Sequence, residues 1–189
     1  MDQTEVAPNN GCPAIGVGGC AALTRAADAV LSQCESLVLS VPDIAYCTES
    51  QTMKGGTVGK HLRHTLDHFA AALGVVGNLT KVIEYDRRQR DVPMETDRRI
   101  ALAAINELRD GLARASSEGL HLAVSVRVML HGDGSEAELK STLGRELAFA
   151  THHAVHHQAM MRAIAGEFGI QVDDHFGKAP STLKSERGG

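Results

Sequence analysis

The sequence predicts an all-α fold, a four-helix bundle carrying a small inserted β-hairpin. Three observations lead there. Four stretches space their apolar residues three and four apart, the period of one helix face. Aromatic residues make up 3% of the chain and Trp is absent, which favours close-packed helices over a β-sandwich. Between the third and fourth helical stretches, residues 120–130 alternate with a period of two, as a half-buried strand does. Four amphipathic helices joined by moderate links bury their apolar stripes most economically against one another.

The elements follow in order. Residues 1–19 hold Pro8, Gly11, Pro13 and further glycines without periodicity, and read as a flexible arm. From Ala21, the residues Leu23, Ala27, Val30, Cys34, Leu37 and Val41 form one stripe, which Pro42 ends because the residue before proline avoids the α region. A loop covers residues 43–56. The second helix starts at the N-cap Thr57 and runs to about Ile83, with Val58, Leu62, Thr65, Leu66, Phe69, Leu73 and Val76 on its apolar face. A charged connection over residues 85–93 reads as a solvated loop, its arginines at 87, 88 and 90 included. Thr96 or Asp97 caps a third helix with Leu102, Ile105, Leu108 and Leu112 inside. The hairpin occupies about 120–142, with turn residues at 131–135, and a hairpin alone is marginal, so it must pack on the helices. The fourth helix runs from about Leu143 to Phe168. The chain is thus divided into the arm, a 20–170 bundle and an irregular 171–189 tail.

Composition excludes several classes. A formal net charge of -4 leaves no electrostatic footprint for nucleic acid. No apolar run reaches the roughly 18 residues a membrane span needs, and the N-terminus shows no secretory pattern. Cys12, Cys20, Cys34 and Cys47 lack C-x-x-C spacing and are read as reduced thiols, so a cytoplasmic location is expected; a Cys12–Cys20 disulfide is the alternative for that pair. No P-loop, G-x-S-x-G, G-x-G-x-x-G or H-E-x-x-H is present.

The chemistry concentrates in histidines. Four of the ten lie at positions 152, 153, 156 and 157 of the fourth helix. His153 and His157 share a face with Glu146, Ala150, Met160 and Ile164, while His152 and His156 sit to one side, nearer solvent. The second helix carries His61, His64 and His68 at i, i+3 and i+7. Two imidazoles four apart are two legs of a metal site, and one histidine of the second helix would supply the third. Three neutral imidazoles with an open position suit Zn²⁺, Ni²⁺ or Fe²⁺. Glu146 is placed to orient a ligand. The competing reading of such pairs is a hydrogen-bonded polar seam between helices.

The run Gly59-Lys60-His61-Leu62-Arg63-His64-Thr65-Leu66-Asp67-His68-Phe69 resembles the second-helix motif of the DinB-like (DNA-damage-inducible) superfamily, in which a His is followed three residues later by Asp. His153-Ala154-Val155-His156-His157 is similar to its fourth-helix H-x-x-H-H signature. The resemblance spans roughly residues 20–170. It implies an up-down-down-up bundle, frequent homodimers, and metal ligands His64, His153 and His157, with Asp67 beside them. On the helical wheel His64 points away from the apolar stripe, so His61 and His68 stay as alternates. It further implies a metal-dependent hydrolase, or a transferase acting with a low-molecular-weight thiol or another small-molecule substrate. The other expectation is a non-catalytic, stress-associated scaffold with an empty histidine cluster. Sulfoxide synthases related to this family use H-x-x-x-H-x-E, but Ala159 stands where the Glu belongs.

Overall fold

The computed structural model describes residues 17–87 and 91–188, without the side chains of residues 17, 18 and 116–118. Residues 1–16 of the expected 1–19 arm, with Cys12, and the arginines at 88 and 90 lie outside the described residues; residues 17–19 belong to the first helix.

Helix α1 (Val17–Ser40) ends where Pro42 demands. A short α2 (Asp43–Cys47) follows inside the expected loop. Thr57 caps α3 (Val58–Leu73), its hydroxyl accepting from the Lys60 amide at 3.0 Å. Pro93–Glu95 form a single 3₁₀ turn, and Asp97 caps α4 (Arg98–Glu118) by accepting from the Arg99 amide at 2.8 Å. Thr142 caps α5 (Leu143–Glu167), which carries Glu146 in its first turn, where a carboxylate meets the positive end of the helix dipole. Within the 171–189 tail, residues 171–179 are irregular and a further helix, α6 (Pro180–Gly188), follows.

The all-α expectation does not hold. The second helix stops at Leu73, about ten residues earlier than its periodicity suggested, and Val82–Glu84 form strand β1. This strand runs parallel to β2 (Ala123–Met129), with Ile83 opposite Val126. On the other side, β3 (Glu136–Thr142) is antiparallel to β2, with Val126 opposite Leu139. The chain therefore contains a three-stranded mixed sheet in the order β1-β2-β3. Its parallel pair is joined through α4, a β-α-β crossover that an all-helical bundle lacks. The physical reason is local. Val82 and Ile83 are β-branched, lose side-chain freedom in a helix and fit a pleated surface. Ile83, Val124 and Val126 are buried, so the third strand gives the hairpin a covered face that two strands alone would not have.

The four long helices pack pairwise, α3 against α5 and α4, and α1 against α4 and α5. Between them lie Leu31, Cys34, Leu62, Leu66, Phe69, Ile105, Leu147, Met161 and Ile164, all with 2% or less of their surface exposed. Each large aliphatic side chain so buried contributes about 1.5–3 kcal/mol. Close approach fixes one glycine here. A Cβ on Gly59 would lie 2.1 Å from the Glu95 carbonyl oxygen and 2.8 Å from the Tyr46 ring. This contact seats α3 on the 3₁₀ turn, where the Tyr46 hydroxyl also donates to the Met94 carbonyl at 2.6 Å. No helix among the described residues is long and apolar enough to cross a membrane.

Candidate metal centre

The seam between α3 and α5 holds the histidines. Their periods on the two helices bring rings separated by about 90 residues of sequence into contact. His153 Nε2 lies 3.1 Å from His64 Nε2 and 3.1 Å from His157 Nε2. One ligand atom from each of His64, His153 and His157 falls within 4.8 Å of the other two. His157 is buried, and His64 and His153 are half-buried. His152 and His156 are exposed.

Proton arithmetic constrains this cluster. A ring nitrogen has one in-plane position, filled by a proton or by a lone pair. His153 Nε2 therefore cannot make two linear hydrogen bonds at once. Either its one proton or one lone pair is shared between both neighbours in a bent, three-centre bond, or all three nitrogens turn lone pairs toward a common point. Bonds of about 2.0–2.1 Å at angles near 90–109° would set nitrogens roughly 2.9–3.4 Å apart, a spacing met by the two contacts on His153 Nε2. Burial, followed by the neighbouring His153 and His61, pushes the His157 imidazole down to about 3. Its ring is thus neutral at pH 7, the form that ligates. The donor set fits a borderline divalent ion.

The alternates occupy different places. His61 Nδ1 lies 3.1 Å from His157 Nδ1, on the opposite edge of that ring from His153. Its imidazole is lowered by burial first, then by His156. His68 donates from Nδ1 to the His64 carbonyl at 2.9 Å, and its ring centroid is 4.2 Å from that of His153. Asp67 pairs with Arg63 at 3.2 Å, and Arg63 also reaches Glu95 at 3.0 Å. Glu146 is 1% exposed and accepts from the Tyr85 hydroxyl at 2.9 Å, the Ser141 hydroxyl at 2.6 Å and Arg145 at 2.9 Å. Its link to the cluster is indirect, through Tyr85.

Two aromatic residues of this region escaped the sequence reading. Tyr85 stacks on His68 with centroids 5.0 Å apart, and Phe149 stacks on His153 at 5.6 Å. Burial and the Glu146 carboxylate push the Tyr85 phenol well above its ordinary range, so it remains a proton donor. Phe149 had a signal, since it lies one turn before His153 on the same face. Tyr85 had none, because the charged residues around it read as solvent-facing.

No family model and no solved structure matches the chain. FK506-binding protein 5 of Rhizopus delemar is 35% identical over 107 residues, which is 56% of this chain and 28% of that protein. The chain thus spans little more than a quarter of the curated relative it matches. This overturns the DinB-like assignment, and with it the expected metal-dependent hydrolase or thiol transferase and the stress-associated scaffold. The two motifs misled for a physical reason. Histidines three and four apart record which face of a helix they share, and any helix pair with a polar seam repeats that spacing.

Proposed function

We propose that the chain binds a divalent transition metal through His64, His153 and His157, with Zn²⁺, Ni²⁺ or Fe²⁺ as the candidates. The observation that carries this reading is the pair of 3.1 Å contacts converging on His153 Nε2, which hydrogen bonding alone satisfies poorly. Such an ion supplies a Lewis-acidic centre whose remaining position takes water or a small-molecule donor. The buried Cys34 thiol, pushed up to about 12 by desolvation, is an unreactive core group. The test is titration of metal-free protein with Zn²⁺ and Ni²⁺ in a calorimeter. One site per chain is expected, abolished by His153→Ala. Heat no larger than that of a buffer blank for every ion would overturn the reading.

The Rhizopus relative favours a second reading, in which the segment serves a ligand-binding function of the kind its name describes. The seat would be the groove of about 370 Å³ between α3 and α4, lined by Leu66, Ala70, Leu73, Val76, Met94 and Leu108. This size falls within the usual range for small-molecule sites. Titration with FK506 tests it. Saturable FK506 binding weakened by Leu108→Asp supports it, and no binding removes it.

A further inference from the structure

We infer that His61 is the positioning residue of the metal ligand His157, an inference that rests on the metal reading above. The two ring nitrogens of His157 face different partners, Nε2 toward His153 and Nδ1 toward His61, each at 3.1 Å. A neutral imidazole that turns its Nε2 lone pair to a cation keeps its proton on Nδ1. Among the described residues that proton meets the Nδ1 lone pair of His61, which places the His61 proton on Nε2. Ligating histidines generally donate their second N–H to a carboxylate, a carbonyl or water, and this bond sets the ring's orientation and basicity. Here an imidazole takes that place. The carboxylates of the region are engaged elsewhere, Glu146 with Tyr85 and Ser141, Asp67 with Arg63.

The fold holds His61 for this task. The loop before α3 folds back over its ring, and a Cβ on Gly56 would lie 2.9 Å from His61 Nε2. The loop is closed by Ser50 N–H donating to the Gly56 carbonyl and Gly56 N–H donating to that of Met53, both at 2.8 Å. The last turn of α5 pins it from outside, the Glu167 carboxylate accepting from the Ser50 hydroxyl at 2.8 Å and the Gln51 amide at 2.9 Å. One helix therefore carries the ligand and clamps the loop that sets its partner.

The experiment titrates Co²⁺ into the metal-free full chain, followed by visible absorption, for the wild type, His61→Phe, His61→Gln and Gly56→Ala. His61→Phe weakens Co²⁺ binding by about 10–100-fold, the usual consequence of losing such a partner. His61→Gln, whose amide oxygen accepts the same proton, recovers most of that loss while the band pattern stays that of the wild type. Gly56→Ala, which displaces the ring without removing it, weakens binding by a smaller factor and covers the case in which His61→Phe fails to fold. Wild-type affinity in His61→Phe overturns the inference and leaves the metal reading standing. So does a Gln variant as weak as Phe with altered cobalt bands, since His61 would then be a ligand itself. A wild-type chain that takes up no Co²⁺ removes both.

Discussion

The two faces of the helical core solve the packing problem in opposite ways. Where α1 meets α4, the interior is aliphatic: Ala27, Leu31, Ala101, Ile105 and Ala115 are fully buried, and Arg109 at the rim spans Asp28 at 2.8 Å and Glu35 at 3.3 Å. Where α3 meets α5, imidazoles from five positions gather, one of them with its proton affinity strongly depressed. An apolar seam returns stability directly. A seam of neutral imidazoles desolvates polar groups that an aliphatic replacement would not carry. The contrast separates a seam that stabilises the fold from one that carries a cluster of imidazoles at a cost in desolvation.

Substitutions on the two faces should therefore separate cleanly. The largest effect is on metal. His153→Ala is expected to weaken Zn²⁺ binding by more than 100-fold in calorimetry, because two imidazoles do not hold the ion. The metal-free variant should unfold within a few degrees of the wild type. On the other face, Leu31→Ala should cost about 2–5 kcal/mol in urea unfolding while Zn²⁺ affinity in the folded fraction stays unchanged. Loss of metal binding by Leu31→Ala at a denaturant-free temperature where it is fully folded would erase the contrast. Gly59→Ala should fall between them in stability, at about 1–3 kcal/mol, since its Cβ meets backbone rather than a movable side chain.

Acid should act on the histidine face. The imidazole of His157 is depressed from 6.5 to about 3, so between those values the unfolded chain binds the extra proton. The stability it contributes is complete above pH 6.5 and is lost as pH falls toward about 3. Melting of metal-free protein across pH 7 to 4 should show this decline, and His157→Gln should flatten it. The smallest effect belongs to the rim. Arg109→Ala should change stability by less than about 1 kcal/mol, with the difference shrinking further in high salt.

Much of the helical framework was legible because it depends on local signals. The proline after α1, the Thr57 and Asp97 caps, and the apolar stripes of α3 and α5 all act within a few residues. The shared face of His153 and His157 was legible for the same reason, since it follows from spacing, whereas the helical wheel turned His64 away from the apolar stripe although its ring lies with theirs. The sheet was only half legible. The pairing of β2 with β3 is a near neighbour in sequence, whereas β1 joins β2 across the whole of α4. Its apolar residues continued the helical spacing of α3 without a break, so periodicity alone misassigned them. The roles of Tyr85 and His61 were hidden because they arise from contacts across 61 and 96 positions of sequence.

The contact between His64 and His153 closes a loop of 89 positions. An ion seated there would act as a removable clasp on the chain. Joining points so far apart takes much of the wandering out of the unfolded ensemble, and the benefit grows with the span enclosed. A chelator added to loaded protein would then hasten global unfolding instead of merely loosening one surface, tying the lifetime of the whole molecule to the occupancy of one small site.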